Sequence, residues 1–293
     1  MKVIEVLDAG PLTTVQDLGR PGLAALGVGQ SGAADTAAMQ LANRLVGNAE
    51  AAATLEVTFG GLRVRAHGGA WVAVTGAPCP MSVAGHQVAP YSVVWVPDGD
   101  VLSLGLPTTG LRSYLAVRGG IAVPQVIDSR STDTLSAVGP APLAAGDRLE
   151  IGQEPGQPLT VDLAPVRHPE AGDLRLRVVL GPRDDWFTHE ARRSLLGEAY
   201  EVTAESNRIG MRLAGTPLER ARAEELPSEG MVCGALQVPP SGQPTLFLAD
   251  HPVTGGYPVI AVVVGADIGL AAQARPGQRL WFTKVLGPDL ASG

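Results

Sequence analysis

Lysine is nearly missing from this 293-residue chain: it occurs only as Lys2 and Lys284, so almost all positive charge is arginine. Neither lysine follows a glycine, which excludes a Gly-Lys-Ser/Thr phosphate loop, and a Schiff base would have to rest on one of these two. Cysteine is as scarce. Cys79 and Cys233 lie in apolar stretches without CxxC spacing and read as two thiols, neither a disulfide nor a nucleophile. His67, His86, His168, His189 and His251 form no HxxxH or HExxH pair, so no metal site is expected. Charged residues are 17% of the chain, 22 basic against 29 acidic, with no basic cluster; nucleic acid is not an expected partner. Long apolar runs are missing too. Glu5 interrupts the start and Asp267 ends the run Val259 to Ala266, so neither a signal segment nor a membrane span is expected, and the protein is expected in the cytoplasm.

What is present is mostly β. Residues 71–75, 92–96, 112–117, 175–180 and 259–264 are short, valine-rich segments bounded by Gly or Pro turns, a pattern of barrels or sandwiches rather than alternating β and α units. Three fragments echo one another, DGDVLSL at 98–104, AGDRLEI at 145–151 and PGQRLWF at 276–282. Each reads as a tight glycine turn entering a half-buried strand. Helices are few. Periodicity predicts them over 34–46, ending at Gly47-Asn48, over 184–196 after two acids, and over 267–274. The stretch 152–173 holds four prolines and reads as a linker between two halves, 1–165 and 166–293.

The opening loop TTVQDLGRPGLAALGVGQSGAAD, residues 13–35, holds Gly19, Gly22, Gly27, Gly29 and Gly32. It has two readings. The glycines turn corners, Arg20 pairs with Asp17 and Asp35 caps a helix; or Ser31, Gly32 and the amides entering the helix form an anion seat, with Arg20 as a second positive contact.

The loop belongs to a larger pattern. TTVQDLGRPG, GVGQSGAAD, ANRLVGN and ATLEVTFGG are followed by YLAVRGGIAVP, SRST at 129–132, SNRIGMRLAG at 206–215, SEGMVCGALQVPPSGQP and ADHPVTGGYPVIA. In this order they resemble the family variously called allophanate hydrolase subunit 2, KipA, the C subunit of 5-oxoprolinase and the biotin-dependent carboxyltransferase domain, over essentially the whole chain. The resemblance implies tandem cyclophilin-like β-barrel units and a subunit 1/KipI-like partner. It implies one of three functions: ATP-dependent opening of 5-oxoproline to L-glutamate, the first expectation, with ATP as cosubstrate of the complex; carboxyl transfer to urea or a related amide; or non-catalytic regulation of a KipI-like protein. This chain has no Met-Lys-Met, so covalent biotin is not expected on it, and carboxybiotin would come from a separate carrier.

Both enzymatic branches polarise a resonance-stabilised amide and need donors aimed at a developing oxyanion. Arg20, Arg130 and Arg208 stand in glycine- or serine-rich family strings and suit a carboxylate or phosphate; Ser131 and Thr132 adjoin Arg130. In ADHPVTGGYP, Asp250 and His251 are an acid/base candidate, Thr254 and Tyr257 candidate substrate hydrogen-bonders, and Gly255-Gly256 a place for close approach. Against this stands a plain strand-to-strand loop in which Asp250 caps its own backbone. Two positions depart from the family pattern: Asp128 stands where glycine is common before Ser-Arg-Ser-Thr, and Asn207 where aspartate is usual before arginine. The first is expected to remove a glycine conformation, the second a negative charge beside Arg208.

Overall fold

The computed structural model describes residues 2–285. The chain divides into two compact units, one of the residues up to Arg20 with Ser31–Pro169, the other of Pro21–Gln30 with the chain from Glu170 onward.

The first unit contains β1 (Val3–Ala9), β2 (Leu12–Gln16), α1 (Thr36–Leu45), β3 (Thr54–Thr58), β4 (Leu62–His67), β5 (Ala70–Gly76), β6 (Met81–Val83), β7 (His86–Val88), β8 (Val93–Val96), β9 (Val101–Leu104), β10 (Arg112–Val117) and β11 (Arg148–Glu150). They form one sheet in the order β11-β1-β4-β9-β6-β7 and another in the order β2-β3-β10-β5-β8. Side chains alternate across a strand, so β4 buries Leu62, Val64 and Ala66 and turns Arg63, Arg65 and His67 outward. Inward residues of both sheets, among them Ile4, Leu55, Val74, Leu102 and Leu115, make one core. The second sheet is covered on its other face as well: Met39, Ala42 and Leu45 of α1 pack on Ala73, Tyr114 and Ala116. That explains why β10 is buried at every position. The ANRLVGN string secures the helix end. Asn43 Nδ2 donates to the carbonyls of Glu50 and Ala52, and Asn48 Nδ2 to that of Val117. The proline-rich stretch lies along this unit: Arg118 donates to the carbonyls of Pro155 and Gln157, and Val93 N to that of Asp162.

The second unit contains β12 (Leu174–Leu180), α2 (His189–Gly197), β13 (Tyr200–Val202), β14 (Gly210–Ala214), β15 (Glu229–Gly230), β16 (Ala235–Gln237), β17 (Thr245–Phe247), β18 (Thr254–Gly255), β19 (Val259–Val263), α3 (Gly265–Ala272) and β20 (Arg279–Lys284). Seven of these strands close a barrel, β12-β19-β16-β17-β14-β13-β20, in which the β12–β20 pair is parallel. Closure removes the edges that a sheet this size would expose. Leu176, Val178, Leu213, Leu236, Ile260 and Phe282 fill the interior.

The mostly β fold with few helices expected from the sequence is what the chain adopts; among the described residues there are three α-helices. The helix expected over 184–196 is two pieces, a 3-10 turn at Asp184–Trp186 and then α2. Phe187 is extended, bridges to Arg220 and is buried, while Thr188 restarts the helix by accepting from Ala191 N. The three echoed fragments have one cause: Gly99, Gly146 and Gly277 all adopt positive φ, and a Cβ there would meet nothing. Their role is conformational. No helix among the described residues is long and apolar enough to cross a membrane.

Candidate functional site

In the first unit the family strings converge on Asp17. Its carboxylate, buried to 7% exposure, accepts from Gly19 N, Ser129 Oγ, Arg130 N and Ser131 Oγ, the last three at 2.6 Å. Arg20 is not its partner. The Arg20 guanidinium is 2% exposed and donates from Nε to the Val126 carbonyl and from Nη2 to that of Ser131. Arg130, half-buried, donates from Nε to the Val123 carbonyl. Asp17 and Arg20 therefore grip the same loop from two sides. Residues 126–129 form a two-residue hairpin with Ile127 at φ 52° and Asp128 at φ 58°. The expected loss of a glycine conformation at Asp128 does not occur, because aspartate is among the residues that enter the left-handed region.

The seat imagined at the start of α1 is filled from within. Ala33 N donates to the Asp17 carbonyl, Ala34 N to Glu56 Oε2 at 2.9 Å, and Asp35 N to Tyr114 Oη at 2.7 Å, while Asp35 accepts from Ala38 N. Tyr114 donates in turn to Glu56 Oε2, and Arg112 lies 3.4 Å from Oε1. Thr14, Glu56, Tyr114 and Thr75 form one rung across adjacent strands, all buried. Burial, then the Glu56 charge, pushes the Tyr114 hydroxyl well above its ordinary pKa, so it acts as a hydrogen-bonding group and not as a base. Ser31, at φ 52°, donates to the Thr132 carbonyl, and a Cβ on Gly32 would press to 3.0 Å on the Leu18–Gly19 backbone. No side-chain signal in the sequence marked Glu56 as the anion at this helix.

In the second unit three other strings meet. Arg208 and Asp250, 1% and 0% exposed as side chains, form a bidentate pair with Nε and Nη2 each 2.9 Å from a carboxylate oxygen, and Asp250 N donates to the Arg208 carbonyl. Asn207 Oδ1 instead caps Ile209 N and Gly210 N. Aspartate could accept the same two bonds, and the acid that faces Arg208 is Asp250. His251 is buried and its Nδ1 lies 2.8 Å from the Pro252 carbonyl. A carbonyl only accepts, so Nδ1 carries a proton and donates it there. Cys233 is raised to about 11 by burial first. Both cysteines are free.

The loop beyond is open. β18 pairs with β15, Thr254 and Gly256 are exposed and Tyr257 is 45% exposed. Gly255 is needed for packing, since a Cβ there would strike Gln237 Nε2 and Met231; at Gly256 only the Leu226 carbonyl comes near, at 3.8 Å. Arg220, which carries no sequence motif, is brought over the Tyr257 ring at 5.5 Å. Only the barrel's closure could reveal that proximity. Of the candidate residues, Asp250, His251 and the 254–257 loop thus belong to one neighbourhood with Arg208, and Arg20, Ser31, Gly32, Arg130, Ser131 and Thr132 to another.

Residues 26–284 match the carboxyltransferase domain, subdomain A and B. The chain is 37% identical to the C subunit of 5-oxoprolinase from Escherichia coli, over 96% of this chain and 91% of that protein. It is 34% identical to the corresponding 5-oxoprolinase protein of Haemophilus influenzae, over 97% and 91%. The urea amidolyase of Saccharomyces cerevisiae is 32% identical over 96% of this chain and 16% of its own length. Among solved structures, TTHA0988 superposes with TM-score 0.87 at 35% identity, covering 97% of this chain and 55% of that one. For the Kluyveromyces lactis urea carboxylase the TM-score is 0.91 at 30% identity, over 97% and 27%. The chain therefore spans only part of those solved proteins.

Proposed function

The chain belongs to the carboxyltransferase-domain A and B family, and from that premise we propose that it is a subunit of an ATP-dependent 5-oxoprolinase, opening 5-oxoproline to L-glutamate beside a subunit 1/KipI-like partner in the cytoplasm. The observation that carries this reading is 37% identity to the C subunit of 5-oxoprolinase across 96% of the chain. Lactam opening requires donors for the oxygen that becomes negative and a group to move a proton. The open 254–257 loop is where the substrate meets this chain. His251 Nε2 is the proton acceptor of that neighbourhood, and the Arg208–Asp250 pair holds the loop's origin in place. Arg20 and Asp17 are positioning residues for the 126–132 loop. Two carboxylates, Glu56 and Asp35, stand at the start of α1. They do not fit a triphosphate there, so ATP is a cosubstrate of the complex and not a ligand of this helix. Co-expression with a subunit 1-like protein, followed by assay of ATP-dependent glutamate release, tests the reading; independent elution of the two proteins and no glutamate would sink it.

The TM-score of 0.91 with urea carboxylase favours a second reading, carboxyl transfer from the carboxybiotin of a separate carrier to urea or a related amide. Urea in place of 5-oxoproline, with a carboxylated carrier supplied, distinguishes the two.

A further inference from the structure

Most arginines of the second unit are neutralised close by. Arg183 takes Glu229, the residue paired across from Gly255; Arg222 takes Asp185; Arg212 takes Glu205; Arg208 takes Asp250. Arg220 differs. Its Nη2 donates to the Val238 carbonyl, its Nε is buried without a hydrogen-bond partner, and among the described residues no carboxylate pairs with it. Burial lowers its pKa from the ordinary arginine value, opposed only by Tyr257. A partly desolvated guanidinium with donors to spare is an unfilled demand for an anion. Its surroundings suit a small planar one. The Tyr257 ring centroid lies 5.5 Å from the guanidinium carbon, the neighbouring Gly256 carries no side chain to block approach, and Gln237 Nε2 anchors the loop by donating to the Tyr257 carbonyl.

We propose that Arg220, held against Tyr257, binds the carboxylate of a small amide or lactam substrate and so selects acidic substrates over neutral ones. The proposal rests on the lactam reading above and deepens it. 5-Oxoproline carries such a carboxylate, whereas 2-pyrrolidinone is the same lactam without it. An arginine–carboxylate contact present in both bound and transition states is uniform binding and appears in KM rather than kcat.

The test uses the reconstituted complex with the full chain, as wild type, Arg220→Gln and Arg220→Lys. Arg220→Gln is expected to raise KM for 5-oxoproline about ten- to a hundredfold with kcat held within about threefold. Arg220→Lys should recover part of that loss, 2-pyrrolidinone should be insensitive to either change, and melting temperatures should agree. An unchanged KM for 5-oxoproline, or an equal loss for 2-pyrrolidinone, overturns the assignment while leaving the oxoprolinase reading intact. Should the wild-type complex turn over no 5-oxoproline, that reading fails, and calorimetry on the full chain decides the inference alone. Weaker binding of 5-oxoproline to Arg220→Gln than to wild type supports it; equal binding, no binding to wild type, or displacement by inorganic phosphate as effective as by acetate overturns it.

Discussion

Arg20 and Arg208 look alike in sequence and in burial, at 2% and 1% exposed, yet the two units hold them in different ways. Arg20 is a clamp whose donors reach loop carbonyls 106 and 111 residues away, while the nearby carboxylate, Asp17, is given to hydroxyls and amides of the same loop. Arg208 is one half of a bidentate pair. The first arrangement shares the ion among carbonyls of one loop; the second sets it against a buried carboxylate through two hydrogen bonds, so that removing the acid takes away both at once. Burial in a glycine-rich string therefore does not distinguish a substrate arginine from a structural one. What sets Arg220 apart is its place over the exposed Tyr257 ring of the open 254–257 loop.

The largest effect should come from the bidentate pair. Asp250→Ala is expected to destabilise by about 3–5 kcal/mol in denaturant unfolding, with a smaller loss when Arg208 is replaced by methionine in the same chain. A single Asp250→Ala variant as stable as wild type would show that the pair does not stabilise the fold. In the first unit, Asp17→Ala strands several donors at once and is expected to cost about 2–4 kcal/mol, with proteolysis appearing first in the 123–139 loop. Arg20→Lys keeps the charge and loses the fork, so it should lower stability by about 1–2 kcal/mol and leave KM unchanged in folded protein. A change in KM at constant stability would return Arg20 to the substrate site. Ile127 is β-branched at positive φ, so Ile127→Asn should stabilise by about 1 kcal/mol in thermal unfolding. Least of all, Cys233 with a pKa of about 11 should alkylate slowly at pH 8, where about one molecule in a thousand is thiolate, and faster above pH 10. Rapid labelling at pH 7 would mean that the half-buried thiol is not held up in this way.

Strands were legible because their pattern is local: alternating valines and leucines between Gly turns give β5, β10, β12 and β19 directly. The caps of α1 were legible for the same reason. The break at Phe187–Thr188 was not, since Phe187 leaves the helix to pair with Arg220, a partner 33 residues on that no helical period records. At the site, the long strings named the right regions but not the roles. Arg20 and Asp17 stand three apart, which reads as a pair; only the fold shows each turning to the 126–131 loop. Glu56 gave no signal because it sits mid-strand in ATLEVTFGG, and it becomes the α1 anion only through the rung it shares with Thr14 and Tyr114. Arg220 stands in a loop without periodicity, so its place over Tyr257 depends wholly on long-range closure.

The central claim is that this chain is part of an oxoprolinase, and glutamate is the product. The decisive measurement is glutamate formed per ATP consumed by the purified complex with a subunit 1/KipI-like partner, supplied with 5-oxoproline. The account predicts ATP-dependent glutamate that is abolished by omitting either protein. Glutamate formation unaffected by omitting this chain, or none from the complete complex while urea is carboxylated with a biotin carrier, would contradict it.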